Sequence, residues 1–101
     1  MMSLREKQSR FVRMVADLIV WAYDHGYELT FGDAWAKTGH MKESLHYSRL
    51  AVDFNLFIGG VWRQDTEAHR PLGEYWKSIG GTWGGDFKDG NHYSLSYEGR
   101  K

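Results

Sequence analysis

The chain has 101 residues, 13 basic and 13 acidic side chains, and no cysteine. That length suits one domain with a modest core, burying roughly 60–70% of the surface an unfolded chain exposes. The even charge speaks against a dedicated nucleic-acid binder, and the lack of cysteine excludes disulfides, thiolate nucleophiles and cysteine-based zinc sites.

Leu4 to His25 predicts a helix. Phe11, Met14, Val15, Leu18, Ile19 and Ala22 recur at spacings of three and four and make one apolar stripe. Arg10, Arg13, Asp17 and Asp24 interrupt the stretch, so it is neither a signal-peptide core nor close to the roughly 20 apolar residues that cross a bilayer. No membrane association is expected, and synthesis in the cytoplasm without a signal peptide follows. Arg5, Lys7, Arg10 and Arg13 on this helix are the only hint of nucleic-acid binding, and Asp17 and Asp24 on the same helix offset them. Gly26 suits the helix end.

Tyr27–Phe31 alternates like a strand, and Gly32–Glu43 reads as loop with a helical turn near Ala34–Lys37. Arg49–Ile58 is the clearest strand, with Leu50, Val52, Phe54, Leu56 and Ile58 on one face and Ala51, Asp53, Asn55 and Phe57 on the other. Gly59-Gly60 is a hairpin signal leading into Val61-Trp62. Arg70–Ile79 predicts a second helix with Pro71 in its first turn and Leu72, Tyr75, Trp76 and Ile79 inward. A glycine-rich loop follows from Gly80 to Asn91, and Tyr93–Tyr97 alternates as a last strand. The expectation is a single α+β domain over residues 1–101, a small antiparallel sheet with a long N-terminal helix and a second helix packed on it. Trp21, Trp62 and Trp76 are assigned to the core. His25, His40 and His69 are assigned to the surface or to helix ends.

Three side chains then stand out. His46 and Asp53 flank the start of the best strand, and His92 opens the last one. Two imidazoles and a carboxylate are a suitable ligand set for zinc, with a fourth position left for water. If the strands of Asp53 and His92 are neighbours, the three can converge. Asp89, three residues before His92, can reach the water without ligating the ion and serve as general base and then acid. Asp89-Gly90 is also a turn dipeptide, and Asp86 is a competing base. Asp53 resists a bland reading, because Asp is disfavoured in strands and costly to bury unpaired.

The run Ser44-Leu45-His46-Tyr47-Ser48-Arg49-Leu50-Ala51-Val52-Asp53 resembles the SxHxxGxAxD signature of the zinc D-alanyl-D-alanine carboxypeptidase family, which also holds L-alanyl-D-glutamate endopeptidases of phage endolysins. Asp89-Gly90-Asn91-His92 matches that family's [DE]xxH, and Trp83-Gly84-Gly85-Asp86-Phe87 looks like its small phage members. The similarity runs from about Leu4 to Glu98. The resemblance implies zinc on His46, Asp53 and His92, Asp89 as catalytic acid/base, and Ser44 near the substrate. It implies hydrolysis of peptidoglycan stem peptides, at L-Ala–D-Glu or the terminal D-Ala–D-Ala, by a phage or prophage lysis enzyme held in the cytoplasm until release to the wall.

Two departures are visible. Arg49 stands where the signature commonly has Gly; it lies outside the ligand set, so tolerance is expected. Related enzymes carry an upstream Arg for the substrate carboxylate or the oxyanion, and the matching stretch here, Ala34-Trp35-Ala36-Lys37, has Ala in its place. Lys37 or Lys42 can supply the charge as a point cation without Arg's fork. Trp35 is the aromatic expected at the cleft edge, and Trp83 is expected beneath or beside the site. The missing Arg leaves an alternative, an inactive homologue that binds wall without cutting it. A monomer is expected.

Overall fold

The computed structural model describes residues 2–32 and 48–97. Helix α1, Leu4–Asp24, begins where Ser3 Oγ accepts the Glu6 N–H at 3.1 Å and the Glu6 carboxylate accepts the Ser3 N–H at 2.9 Å. This reciprocal cap satisfies two donors that every helix start leaves open. Its stripe is buried at Phe11, Met14, Leu18 and Ala22, as the spacing predicts.

Strands β1 (Glu28–Phe31), β2 (Ala51–Ile58), β3 (Val61–Arg63), β4 (Thr82–Trp83) and β5 (His92–Ser94) form one antiparallel sheet. Its order is β1-β2-β5-β4, with β3 paired to β2. The hairpin between β2 and β3 turns on Gly59 and Gly60 at φ 58° and 80°, the left-handed pair that a two-residue turn of matching twist requires. Helix α2, Thr66–Ser78, lies between β3 and β4. A 3-10 turn, Gly84–Phe87, leads from β4 toward β5. The α+β class is as expected.

β2 divides the molecule into two faces. Leu50, Val52, Phe54 and Leu56 are buried with Phe11, Leu18, Leu72 and Trp76 in the layer between sheet and helices. Trp76 fixes that layer twice, by ring contact with Phe11 at 5.8 Å and by its indole N–H, which reaches Ser94 O at 2.9 Å. Asp53, Asn55 and Phe57 point to the other face, in register with His92, Thr30 and Trp62.

Several boundaries differ from the sequence expectation, among them the last strand, which runs His92–Ser94 rather than Tyr93–Tyr97. α2 starts at Thr66, because Asp65 accepts the Ala68 N–H at 3.0 Å and caps it, so Pro71 falls at the sixth helical position. A proline there has no N–H to offer Glu67 O, a loss the packed helix carries. The glycine-rich loop contains the short strand β4. β2 starts at Ala51 rather than Arg49, because Arg49 has φ 57° and sits in a turn.

No described helix is long and apolar enough to cross a membrane.

Candidate active site

Asp53 and His92 are cross-strand partners in the β2–β5 pair. Directly opposed residues of an antiparallel pair share a face with their Cβ atoms about 4.5–5.5 Å apart. The pairing brings His92 Nδ1 to 3.3 Å from Asp53 Oδ1, with side chains 10% and 20% exposed. The two strands are therefore neighbours, as convergence of these side chains requires.

Asp89 is positioned by backbone. Its N–H donates to Gly84 O at 2.8 Å, and its carbonyl accepts the His92 N–H at 3.1 Å, so residues 89–92 form a turn that ends on His92. The turn presses on the 3-10 segment so closely that a Cβ at Gly84 would collide with Asp89 O, which is why that position is glycine. Beneath it, the buried Trp83 indole donates to Gly90 O at 2.7 Å. Trp83 therefore lies beneath the turn that carries Asp89. Asp89 itself is exposed on the turn. The competing carboxylate, Asp86, is occupied elsewhere, with Lys77 Nζ 3.2 Å from its Oδ1.

His46, Ser44, Lys37 and Trp35 lie outside the described residues, as do His40 and Lys42. Among the described residues no three His, Cys, Asp or Glu side chains gather closely enough to hold a metal. The described pair does fit a zinc centre on two counts. One imidazole nitrogen and one carboxylate oxygen are suitable zinc donors. Their 3.3 Å separation is also what two ligands about 2.0–2.1 Å from one tetrahedral ion would show, roughly 3.3–3.4 Å. The segment bearing the other four candidates joins the described chain at Gly32, whose N–H donates to Asp53 O at 2.7 Å.

Arg49 explains one departure from the signature. Its φ of 57° is the left-handed region, where glycine is at ease and a side chain is not. Arg49→Gly is expected to raise stability by at most about 1 kcal/mol, since the Arg49 side chain has an interaction of its own to lose. That ceiling is the left-handed penalty of roughly 1–2 kcal/mol less the entropy glycine adds to the unfolded chain. A urea melt checks it, and a lower midpoint would mean that the Arg49 side chain contributes more than its backbone costs.

Two assignments from sequence are corrected. Trp62 is 53% exposed, because β3 lies at the sheet edge and Trp62 faces away from the helices. His69 is not at the surface but 1% exposed on α2, its Nδ1 2.7 Å from the Tyr93 hydroxyl. The signal was available, since His69 stands three and seven residues before Leu72 and Trp76 on the buried face. Burial lowers its pKa to about 4, against a smaller opposing pull from Asp65. Burial also pushes the Tyr93 phenol upward, so it stays protonated.

This burial makes folding pH-dependent. Between about 6.5 and 4 the unfolded His69 binds a proton and the folded one does not, so stability falls with pH across that window and changes no further below it. The expected loss is about 2 kcal/mol at pH 5 and about 3 kcal/mol at pH 4 relative to pH 7.5. Urea melts of the wild type and His69→Phe should diverge in their pH slopes by this amount. Parallel slopes would show that His69 is protonated in the fold.

Residues 36–95, more than half of the chain, match the model of a family described as D-alanyl-D-alanine carboxypeptidase. No curated protein matches the chain. The matched span begins in the segment of Lys37, Ser44 and His46 and runs through β2 to just past β5, taking in Asp53, Asp89 and His92. On this match the chain belongs to the D-alanyl-D-alanine carboxypeptidase family of peptidases.

Proposed function

We propose that the chain is a zinc-dependent peptidase that hydrolyses peptidoglycan stem peptides, of the phage or prophage endolysin type. The observation that carries this reading is the Asp53–His92 pair, two zinc-compatible donors 3.3 Å apart, with Asp89 on the turn leading into His92. In this reading His46, Asp53 and His92 hold the ion. When bound, zinc would supply Lewis acidity, making water a stronger nucleophile and the scissile carbonyl a better electrophile.

The chain's own groups do the rest. The Asp89 carboxylate takes the proton of the attacking water and returns it to the leaving nitrogen, a task suited to an exposed carboxylate held on a fixed turn. Lys37 provides a point cation for the substrate carboxylate or the developing oxyanion, in place of the family's Arg. Ser44 and Trp35 line the substrate path. The Asp53–His92 contact keeps the two donors side by side, which would lower the ordering that binding an ion requires.

Mass spectrometry of purified peptidoglycan after incubation with the zinc-loaded protein tests this. New peptide termini, lost on chelation, are the expected result. Binding to wall without new termini would replace this reading by that of an inactive wall-binding homologue.

A further inference from the structure

On the side away from β1, β2 is bordered by β5 along Ala51–Asp53 and by β3 along Leu56–Ile58. Neither strand pairs with Asn55, and there the edge opens into a cavity of about 260 Å³. Three amides line it, Asn55, Gln64 and Asn91, together with Trp62, Arg63 and His69. Asn55 lies two residues beyond Asp53, about 6.7 Å along a strand, and Asn91 immediately precedes His92. The cavity therefore adjoins the Asp53–His92 pair without being built from it.

The lining is polar but carries little unmatched charge. Arg63 is matched by Asp65, with Nε–Oδ1 at 3.1 Å and a second bond at 3.3 Å. His69 is kept neutral by its burial. Its Nδ1 is 2.7 Å from the Tyr93 hydroxyl. Amides both donate and accept, and the exposed Trp62 offers an apolar flank. Asn55 Nδ2 donates to Thr30 Oγ1 at 3.2 Å, so only part of the amide capacity is used within the chain. A carboxylate would want an unmatched cation here, and an apolar side chain would leave the remaining amide capacity unused. A neutral pyranose satisfies both features: its hydroxyl and acetamido groups suit the amides, and its C–H face can cover an indole.

We propose that this cavity is a sugar subsite that seats the N-acetylhexosamine bearing the stem peptide. This rests on the peptidase reading above, and it selects the bond. A residue spans at most about 3.6 Å, so a sugar beside Asn55 and Asn91 brings the first peptide bonds to Asp53 and His92. The terminal bond, three residues further along, lies up to about 11 Å further out. The cut then falls at L-Ala–D-Glu, next to the sugar, rather than at the terminal D-Ala–D-Ala.

The test is an NMR titration of the full, zinc-supplemented chain with the methyl glycoside of N-acetylglucosamine. The expected result is joint movement of the Asn55 and Gln64 side-chain amides and the Trp62 indole, with Kd about 1–10 mM. Gln64→Ala and Trp62→Ala should each weaken that binding several-fold, and the dipeptide D-Ala-D-Ala should move none of these signals. No movement with sugar, or movement with the dipeptide instead, overturns the subsite. A second arm compares the pentapeptide with and without its muramyl sugar. The expected kcat/KM ratio is about tenfold in favour of the sugar-bearing substrate, or about 1.4 kcal/mol, and the Trp62→Ala variant should bring it toward one. Equal cleavage of both substrates overturns the subsite and leaves the peptidase reading standing. Sugar-dependent shifts with no cleavage of either substrate uphold the subsite and overturn the peptidase reading.

Discussion

Asp89→Asn is expected to cut turnover on stem peptides by about 10²–10⁴-fold, the usual worth of a positioned general acid–base, while zinc content stays at the wild-type level. The separation of the two readouts follows from the geometry. The Asp89 backbone, not its side chain, makes the bonds to Gly84 and His92 that shape the turn. Asparagine keeps that backbone and the size of the side chain and removes only the ability to hold a proton. His92 therefore remains opposite Asp53, and the donors of the ion are undisturbed. Asp86→Asn is the control. Its carboxylate is paired with Lys77, and its loss should leave turnover within about twofold, since an exposed ion pair contributes about 1 kcal/mol or less to the fold. Single-turnover rates with a purified muropeptide, read beside metal analysis, check both variants. Full activity in Asp89→Asn, or collapse in Asp86→Asn, would transfer the acid/base role to the other carboxylate.

What could be read from sequence divides along a physical line. α1, β2 and the hairpin at Gly59-Gly60 depend on local patterns: a stripe of period 3.6, alternation of period two, and two adjacent glycines able to turn at positive φ. These patterns hold whatever the rest of the chain does. Asp53 stood out as a candidate for the same kind of reason, since a carboxylate in a strand rich in Val, Leu and Phe is a local contradiction that calls for a partner, and the structure supplies one in His92. The start of α2 was obscured because Pro71 and Asp65 both signal a helix start, and the cap prevails while the proline is tolerated inside. His69 and Trp62 depended on distant events. His69 can be buried only because the Tyr93 hydroxyl arrives from β5, 24 residues away, and Trp62 is exposed because no strand among the described residues covers the face it points to. The glycine at the Arg49 position of the signature was legible as a pattern, but its reason, a φ of 57°, belongs to the fold.

Asp53→Asn separates a ligand from a structural partner at the centre of the site. Asp53 Oδ1 and His92 Nδ1 are 3.3 Å apart, and asparagine can keep a hydrogen bond across that gap because its side-chain oxygen still accepts. The variant should therefore fold, with a metal-free stability within about 1 kcal/mol of wild type, the typical worth of one hydrogen bond. Its neutral amide is a poor zinc donor compared with a carboxylate. Loss of an outer partner typically costs about 10–100-fold in metal affinity, and loss of a direct ligand should exceed that range. Thermal melting reads this without reference to activity. Zinc at about a hundred times its Kd stabilises the wild type by roughly 2.7 kcal/mol, which for a domain of this length is a rise in Tm of about 10–20 °C. Asp53→Asn and His92→Ala should both lose most of that rise. His92→Ala should in addition lower the metal-free Tm, because it removes the contact between His92 and the Asp53 carboxylate. A full zinc-dependent rise in Asp53→Asn would assign the pair to the architecture of the β2–β5 edge and remove Asp53 from the ligand set.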